Sequence, residues 1–181
     1  AAAALSCIRE PEATSSDREV PSFRQVVSLL PRILVDDRPF LRLIVVRIVG
    51  GFVTMGNAFY VLNATRNLGL GLEATGLFVS AQVAGSLTSG LMLGVIQDRL
   101  GPLAHMRTMI VVSLLPPLIA LVLGLMGASL GPGVIYPYLL LYFFLGLHIS
   151  SFGWPYFNWI LEYVEEAKRP LYIGMVNTLG A

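Results

Sequence analysis

Apolar residues in this chain gather into long stretches, and most polar residues fall in the intervals between them. Four stretches run roughly from Phe40 to Leu62, Ala74 to Ile96, Met106 to Met126 and Val134 to Leu161. A fifth begins at about Leu171. Each of the four reaches the ~20 residues that a helix needs to cross a hydrocarbon core about 30 Å thick. The intervals NATRNLGLGLE, QDRLGPLAH, GASLGPG and EYVEEAKRP carry the Gly, Pro, Asn and Asp residues that end helices and turn chains. The pattern predicts an all-α integral membrane protein with four transmembrane helices and the start of a fifth.

Ahead of the first stretch, residues 22–38 change period. Phe23, Val26, Val27, Leu30, Ile33 and Leu34 recur at helical spacing, with Arg24, Gln25, Ser28 and Arg32 opposite them. The segment is too short and too charged to span, and reads as an amphipathic piece lying at the membrane surface. Because Pro31 interrupts it, a loosely ordered leader is the competing reading. Residues 1–21 are polar and proline-containing, and are expected to be a disordered tail. Residues 39–181 form the transmembrane bundle.

Composition sharpens this picture. Hydrophobic residues make up 55% of the chain and charged ones 13%, with a mean hydropathy of +0.73. That is too little charge to cover a soluble domain. The net charge of +1 is not pooled on one patch, so no nucleic-acid partner is expected. The single cysteine, Cys7, excludes an intramolecular disulfide. LSCI, preceded by four alanines, lacks the charged start and long apolar region of a signal peptide. No metal-ligand spacing links His105, His148 and Cys7. No glycine-rich phosphate loop occurs, and no nucleophile has a plausible base, so neither an enzyme nor a cofactor is expected. The chain begins without methionine and stops within an apolar run, and both ends read as breaks in a longer protein.

Cations set the orientation. Arg9, Arg18, Arg24, Arg32, Arg38 and Arg42 cluster before and at the start of the first stretch. Arg99 and Arg107 flank the second loop, and Lys168 and Arg169 lie in the fourth. The opposite side holds only Arg66. The positive-inside rule then puts the N-terminus, second loop and fourth loop in the cytoplasm, in a cell membrane.

Polar residues inside the stretches are the candidate functional groups. Arg47, Gly50, Thr54 and Asn57 share one face of the first helix, as His148, Ser151, Pro155, Asn158 and Glu162 do on the fourth. Gln82, Ser86 and Ser89 share a face of the second. Such stripes look at a water-filled cavity or at another helix. Asn57, Thr54, Gln82, His148, Ser151 and Asn158 are therefore the cavity candidates, with Asn57 and His148 leading. His148 can bind a polar solute or relay protons, or it can stay neutral and hydrogen-bonded to a neighbouring helix. Arg47, roughly 10 Å inside by helical rise, can snorkel; a pair with Glu162 at similar depth is favoured. Trp154, Tyr156, Phe157 and Trp159 read better as an interfacial aromatic belt than as a stacking surface for a solute. Ser86–Gly90–Gly94 and Ala120–Gly124–Ala128 form small-residue ridges suited to close helix packing. Pro116-Pro117 and Pro155 should bend their helices.

One loop carries a family motif. In GVIQDRLGP, residues 94–102, Gly94, Asp98, Arg99 and Gly101 fit G-x-x-x-D-R-x-G, while Pro102 and Leu103 stand where two further cations are usual. With its place after the second span, the loop resembles the signature of the major facilitator superfamily. EEAKRPLYIG, residues 165–174, similarly resembles the opening of that family's fifth span. The resemblance covers roughly residues 39–181, most of a first six-helix half. It implies a secondary transporter that works by alternating access on an unknown small-molecule substrate. The partners it implies are the lipid bilayer and a C-terminal half of the same chain. Asp98 and Arg99 would latch the two halves; read from the residues alone, they could simply end a span. Tyr142 stands four residues before Gly146, where many proton-driven members carry arginine, which argues against proton coupling through this half. The competing reading is a small four- or five-span membrane protein that acts as a binding or assembly partner.

Overall fold

The computed structural model of the chain describes residues 23–180, so the tail expected over 1–21 lies outside the described residues. Among the described residues all regular structure is helical. Contacts divide the chain after Asp36. The first part contributes one helix, α1 (Phe23–Asp36), which runs through Pro31.

The bundle follows. The first span is made of α2 (Arg38–Met55) and α3 (Asn57–Arg66), the second of α4 (Leu72–Leu100) and the third of α5 (Pro102–Met126). A 3₁₀ stretch, Gly127–Val134, leads into the fourth span, made of α6 (Ile135–Ser151) and α7 (Trp154–Tyr163). A 3₁₀ turn at Glu166–Lys168 precedes α8 (Arg169–Leu179). By length and apolarity four helical stretches can cross a membrane: Arg38–Arg66, Glu73–Leu100, Pro102–Met126 and Ser129–Tyr163.

Surface character agrees with lipid as the solvent. Leu91 and Leu125 are 76% and 78% exposed, in a long series of uncovered Leu, Val, Ile and Phe side chains along the spans. In water such a surface would aggregate, whereas in hydrocarbon it is the expected exterior. The chain is a multi-pass membrane protein in a lipid bilayer. The fourth span is its centre. It has 39% of its most apolar window buried, against 17% to 24% for the others.

Backbone breaks fall where the sequence weakens a helix. In the first span Gly56 forms a turn between α2 and α3, and the Phe59 N–H donates to the Gly56 carbonyl at 3.0 Å, a tighter 3₁₀ step. In the fourth span the break lies at Phe152–Gly153, just before Pro155. The proline ring crowds the carbonyl four residues back and leaves it without a donor. Pro116 and Pro117, by contrast, sit within one uninterrupted α5.

At one end of the bundle, Asp37 starts α2 as its N-cap. Its carboxylate accepts from the Phe40 N–H at 3.1 Å. It also accepts from the hydroxyls of Tyr163 at 2.9 Å and Tyr172 at 3.0 Å. One side chain thereby ties the start of the first span to the end of the fourth and to α8. Fully buried Phe40 meets the Tyr172 ring at a centroid distance of 4.5 Å. Expected as the tail of an amphipathic segment, Asp37 and Arg38 instead open the first span.

The opposite end is held by a buried aromatic cluster. Phe78 stacks on Tyr142, 4.8 Å between centroids and 2° between planes, and also on Tyr138 at 5.5 Å. Tyr138 accepts from the Asn63 amide at 2.7 Å, which links the first span to the fourth. Tyr142 is thus a packing residue in this cluster.

Candidate functional site

The second and fourth spans make the most extensive helix contact in the bundle, and that contact decides which polar residues stay free. Gly85 lies against the Phe143 carbonyl, and Gly146 lies against the Gln82 carbonyl, so neither position has room for a Cβ. Around this crossing Ser86 donates to the Gly146 carbonyl at 3.2 Å and Ser89 to the Leu147 carbonyl at 3.1 Å. The Ser89 hydroxyl also bonds the hydroxyl of Ser151. Of the expected cavity contacts, Ser151 is therefore engaged by the second span, and Gln82 lies at the same crossing. The packing ridge is also shifted from the expected one. A Cβ at Gly90, Gly94 or Gly124 would meet open space, so the tight face of α4 runs through Gly85 and Ser89.

Among the described residues, four on the first and fourth spans carry buried polar atoms without a partner: Arg47, Asn57, His148 and, within the aromatic cluster, the Tyr142 hydroxyl. His148 is 2% exposed, and both ring nitrogens lack a hydrogen-bond partner. The Asn57 amide oxygen is buried without a donor. Nε and Nη1 of Arg47 are buried without an acceptor. The guanidinium carbon instead lies 5.4 Å from the ring centre of Phe152 and 5.3 Å from that of Tyr156. His148 meets the same Phe152 ring at 5.1 Å. Thr54 is not free, because its hydroxyl donates to the Gly51 carbonyl on its own helix at 2.7 Å. Asn158 is half-buried on α7.

The ion pair expected between Arg47 and Glu162 is not formed. Among the described residues the ion pair present is Lys168–Glu165 at 3.2 Å. The break at Phe152–Gly153 explains the difference, since it interrupts the helical register that placed Glu162 on the face of His148. Glu162 is exposed, and it lines a cavity of about 320 Å³ with Leu100, Gly101, Pro102, Trp159 and Tyr163. The aromatic group is divided too. Trp154 is exposed, Trp159 is buried and stacks on Tyr163 at 4.2 Å, and Tyr156 turns inward beneath Arg47. A uniform interfacial belt does not describe it.

A second cavity, of about 240 Å³, lies between the first, third and fourth spans. Its walls include Val45, Val49, Met109 and Leu114, with His148, Phe152 and Tyr156 on one side. Nearly all of this lining is apolar. A ligand placed there would meet hydrocarbon on most sides and the unpaired histidine on one.

The GVIQDRLGP loop is a turn of a single residue. Gly101 adopts φ 82° and ψ 173° between α4 and α5, a backbone region open essentially to glycine alone. Its N–H caps α4 on the Gln97 carbonyl at 2.8 Å, and Pro102 starts α5, where a missing N–H costs nothing. Across the turn the Gln97 side-chain oxygen bonds Nδ1 of buried His105 at 2.8 Å. Asp98 and Arg99 are exposed at the end of α4, and among the described residues their side chains make no hydrogen bond or ion pair. Gly94 has open space around it. The motif therefore presents an acidic and a basic side chain outward from a tight glycine turn.

The family model of the Major Facilitator Superfamily matches residues 1–181. The chain belongs to this superfamily. No curated protein and no solved structure matches it. Membership makes the chain a membrane transporter in general terms and accounts for the four spans. Within this major facilitator chain, sequence reasoning missed the Arg47–Phe152–Tyr156 stack and the Asp37 clasp. A signal for the clasp was present: an aspartate two residues before a proline, ahead of an apolar run, marks a helix start.

Proposed function

We propose that this major facilitator chain forms one wall of a secondary transporter that moves a small solute by alternating access. Its first and fourth spans flank the pathway. A second set of helices from the same protein completes it. Asp98 and Arg99 form the cytoplasmic latch, and the N-terminus lies in the cytoplasm of a cell, as the distribution of arginines favours. Asn57 and His148 are the leading contacts to the solute, and Thr54, Gln82, Ser151 and Asn158 are secondary ones. No catalytic role belongs to this reading.

The observation that carries it is the set of unsatisfied groups. Leaving a polar group unpaired in hydrocarbon costs several kcal/mol. Yet among the described residues Arg47, Asn57, Tyr142 and His148 all stand so on the first and fourth spans, against Thr75 alone on the second and His105 Nε2 alone on the third. A pathway that admits water or solute at one stage of a cycle satisfies such groups in turn.

Sided labelling tests the reading and requires no solute. In the gene-encoded protein with its cysteines replaced by serine, Asn57→Cys reports on the outer side and Asn158→Cys on the inner side. Adding Asp98→Asn should release the latch. Labelling of Asn57→Cys from outside is expected to fall and that of Asn158→Cys from inside to rise, each by about fivefold or more, the low end of a coupling between two sites. Unchanged reactivities, or a rise at both positions, would contradict alternating access controlled from this loop.

A further inference from the structure

We propose that Arg47, His148 and the rings of Phe152 and Tyr156 form a binding site for a small organic carboxylate with an apolar body. The proposal deepens the transporter reading and rests on it, since it names the class of solute that the same site would take.

Arg47 carries a permanent positive charge, and its Nε and Nη1 are buried with no acceptor. No Asp or Glu occurs between Arg38 and Glu73, or between Asp98 and Glu162. The nearest acid on the fourth span, Glu162, is exposed and lines a different cavity. The site thus contains a cation and no anion. Such a charge in a membrane interior is stabilised by a partner or by reaching water, and the described residues provide rings alone. A planar guanidinium offers paired donors that match a carboxylate.

Geometry then fixes the shape of the ligand. The guanidinium carbon and the His148 ring both lie within 5.4 Å of the centre of Phe152. In this arrangement a carboxylate docks on the Arg47 fork beside this ring, with His148 against the same ring and lining the adjoining space. Phe152 and Tyr156 hold the guanidinium over their faces, which keeps the fork oriented before the ligand arrives. Gly180 leaves the other flank open for the arginine stem, because a Cβ there would occupy the place of Arg47 Cδ and Nε. The adjoining space of about 240 Å³ is a groove open on one side and lined by Val45, Val49, Met109 and Leu114. It suits a compact ring or short alkyl chain and offers almost nothing to a sugar or a second charge. Inorganic phosphate would meet the cation but leave this groove empty, and a neutral aromatic would do the reverse.

The test uses the gene-encoded protein in zwitterionic nanodiscs, with benzoate, hexanoate, benzamide and inorganic phosphate as probes and thermal shift plus equilibrium binding as readouts. Benzoate and hexanoate are expected to bind and raise the melting temperature, with benzamide and phosphate at least about tenfold weaker. Arg47→Gln should weaken benzoate at least about tenfold, and His148→Gln should weaken it less. If Arg47→Gln fails to fold, Arg47→Lys keeps the charge without the fork and should still bind benzoate more weakly than the parent. The proposal is overturned if neither carboxylate binds, if benzamide or phosphate equals benzoate, or if the Arg47 variants bind as the parent does. Failure here, alongside the opposed labelling changes described above for Asp98→Asn, removes the solute class and leaves the carrier. Carboxylate binding without those labelling changes keeps the site and removes the carrier.

Discussion

Gly146→Val is expected to force the second and fourth spans apart and to destabilise the bundle by about 3 kcal/mol or more, at or beyond the upper end of ordinary overpacking. The obstacle is backbone, not a side chain that can swing away. Gly146 lies on the Gln82 carbonyl, and Gly85 reciprocally on that of Phe143. Separation would also weaken the bonds from Ser86 and Ser89 to the fourth span, each worth roughly 0.6 kcal/mol in a membrane bundle. Gly94→Ala is the matched control. It sits in open space, so its change should be neutral or slightly favourable through helix propensity. Unfolding of the gene-encoded protein in mixed micelles separates the two cases. Equal losses at Gly94 and Gly146 would place the tight crossing on the wrong face.

Asp37→Ala is expected to cost about 2–4 kcal/mol, from the lost N-cap and two lost hydrogen bonds to a carboxylate. The range is kept modest because Asp37 is only half-buried. Tyr163→Phe and Tyr172→Phe should each cost less. Combined with Asp37→Ala they should add almost nothing, since their shared acceptor is already gone. Protease cleavage between α7 and α8 should speed up in Asp37→Ala, as the clasp on both helices opens. A loss no larger than that of either tyrosine variant, or full additivity, would show that the three contacts act independently.

Much of this fold was legible because the hydrophobic signal of a membrane span is long and unmixed. The stretch from Met106 to Met126 needs no tertiary information to read as a helix, and the structure extends it only to Pro102. Packing register was much less legible. Ser86–Gly90–Gly94 and Gly85–Ser89 both present small residues at a spacing of four, and nothing local to α4 says which face the fourth span occupies. The Arg47–Glu162 pair failed for a related reason. Helical periodicity was carried across Phe152–Gly153, where the helix breaks and the register is lost. Pro155 signalled a bend, but not how the bend would redistribute Glu162 and Tyr156. At the candidate site the residue types were visible in sequence, with Arg47 and His148 both singled out. Their common neighbour, Phe152, was hidden among many apolar residues.

The central claim is that the polar stripes of the first and fourth spans face a water-accessible pathway while the apolar faces meet lipid. A cysteine scan of the first span tests this most directly, using a small, water-soluble, charged thiol reagent on the cysteine-free, gene-encoded protein in membranes. Gly50→Cys, Thr54→Cys and Asn57→Cys are expected to react. Phe52→Cys, Met55→Cys and Phe59→Cys, on the opposite and exposed face, are expected to stay unlabelled. Labelling confined to Phe52, Met55 and Phe59, or spread evenly over all six positions, would contradict the account.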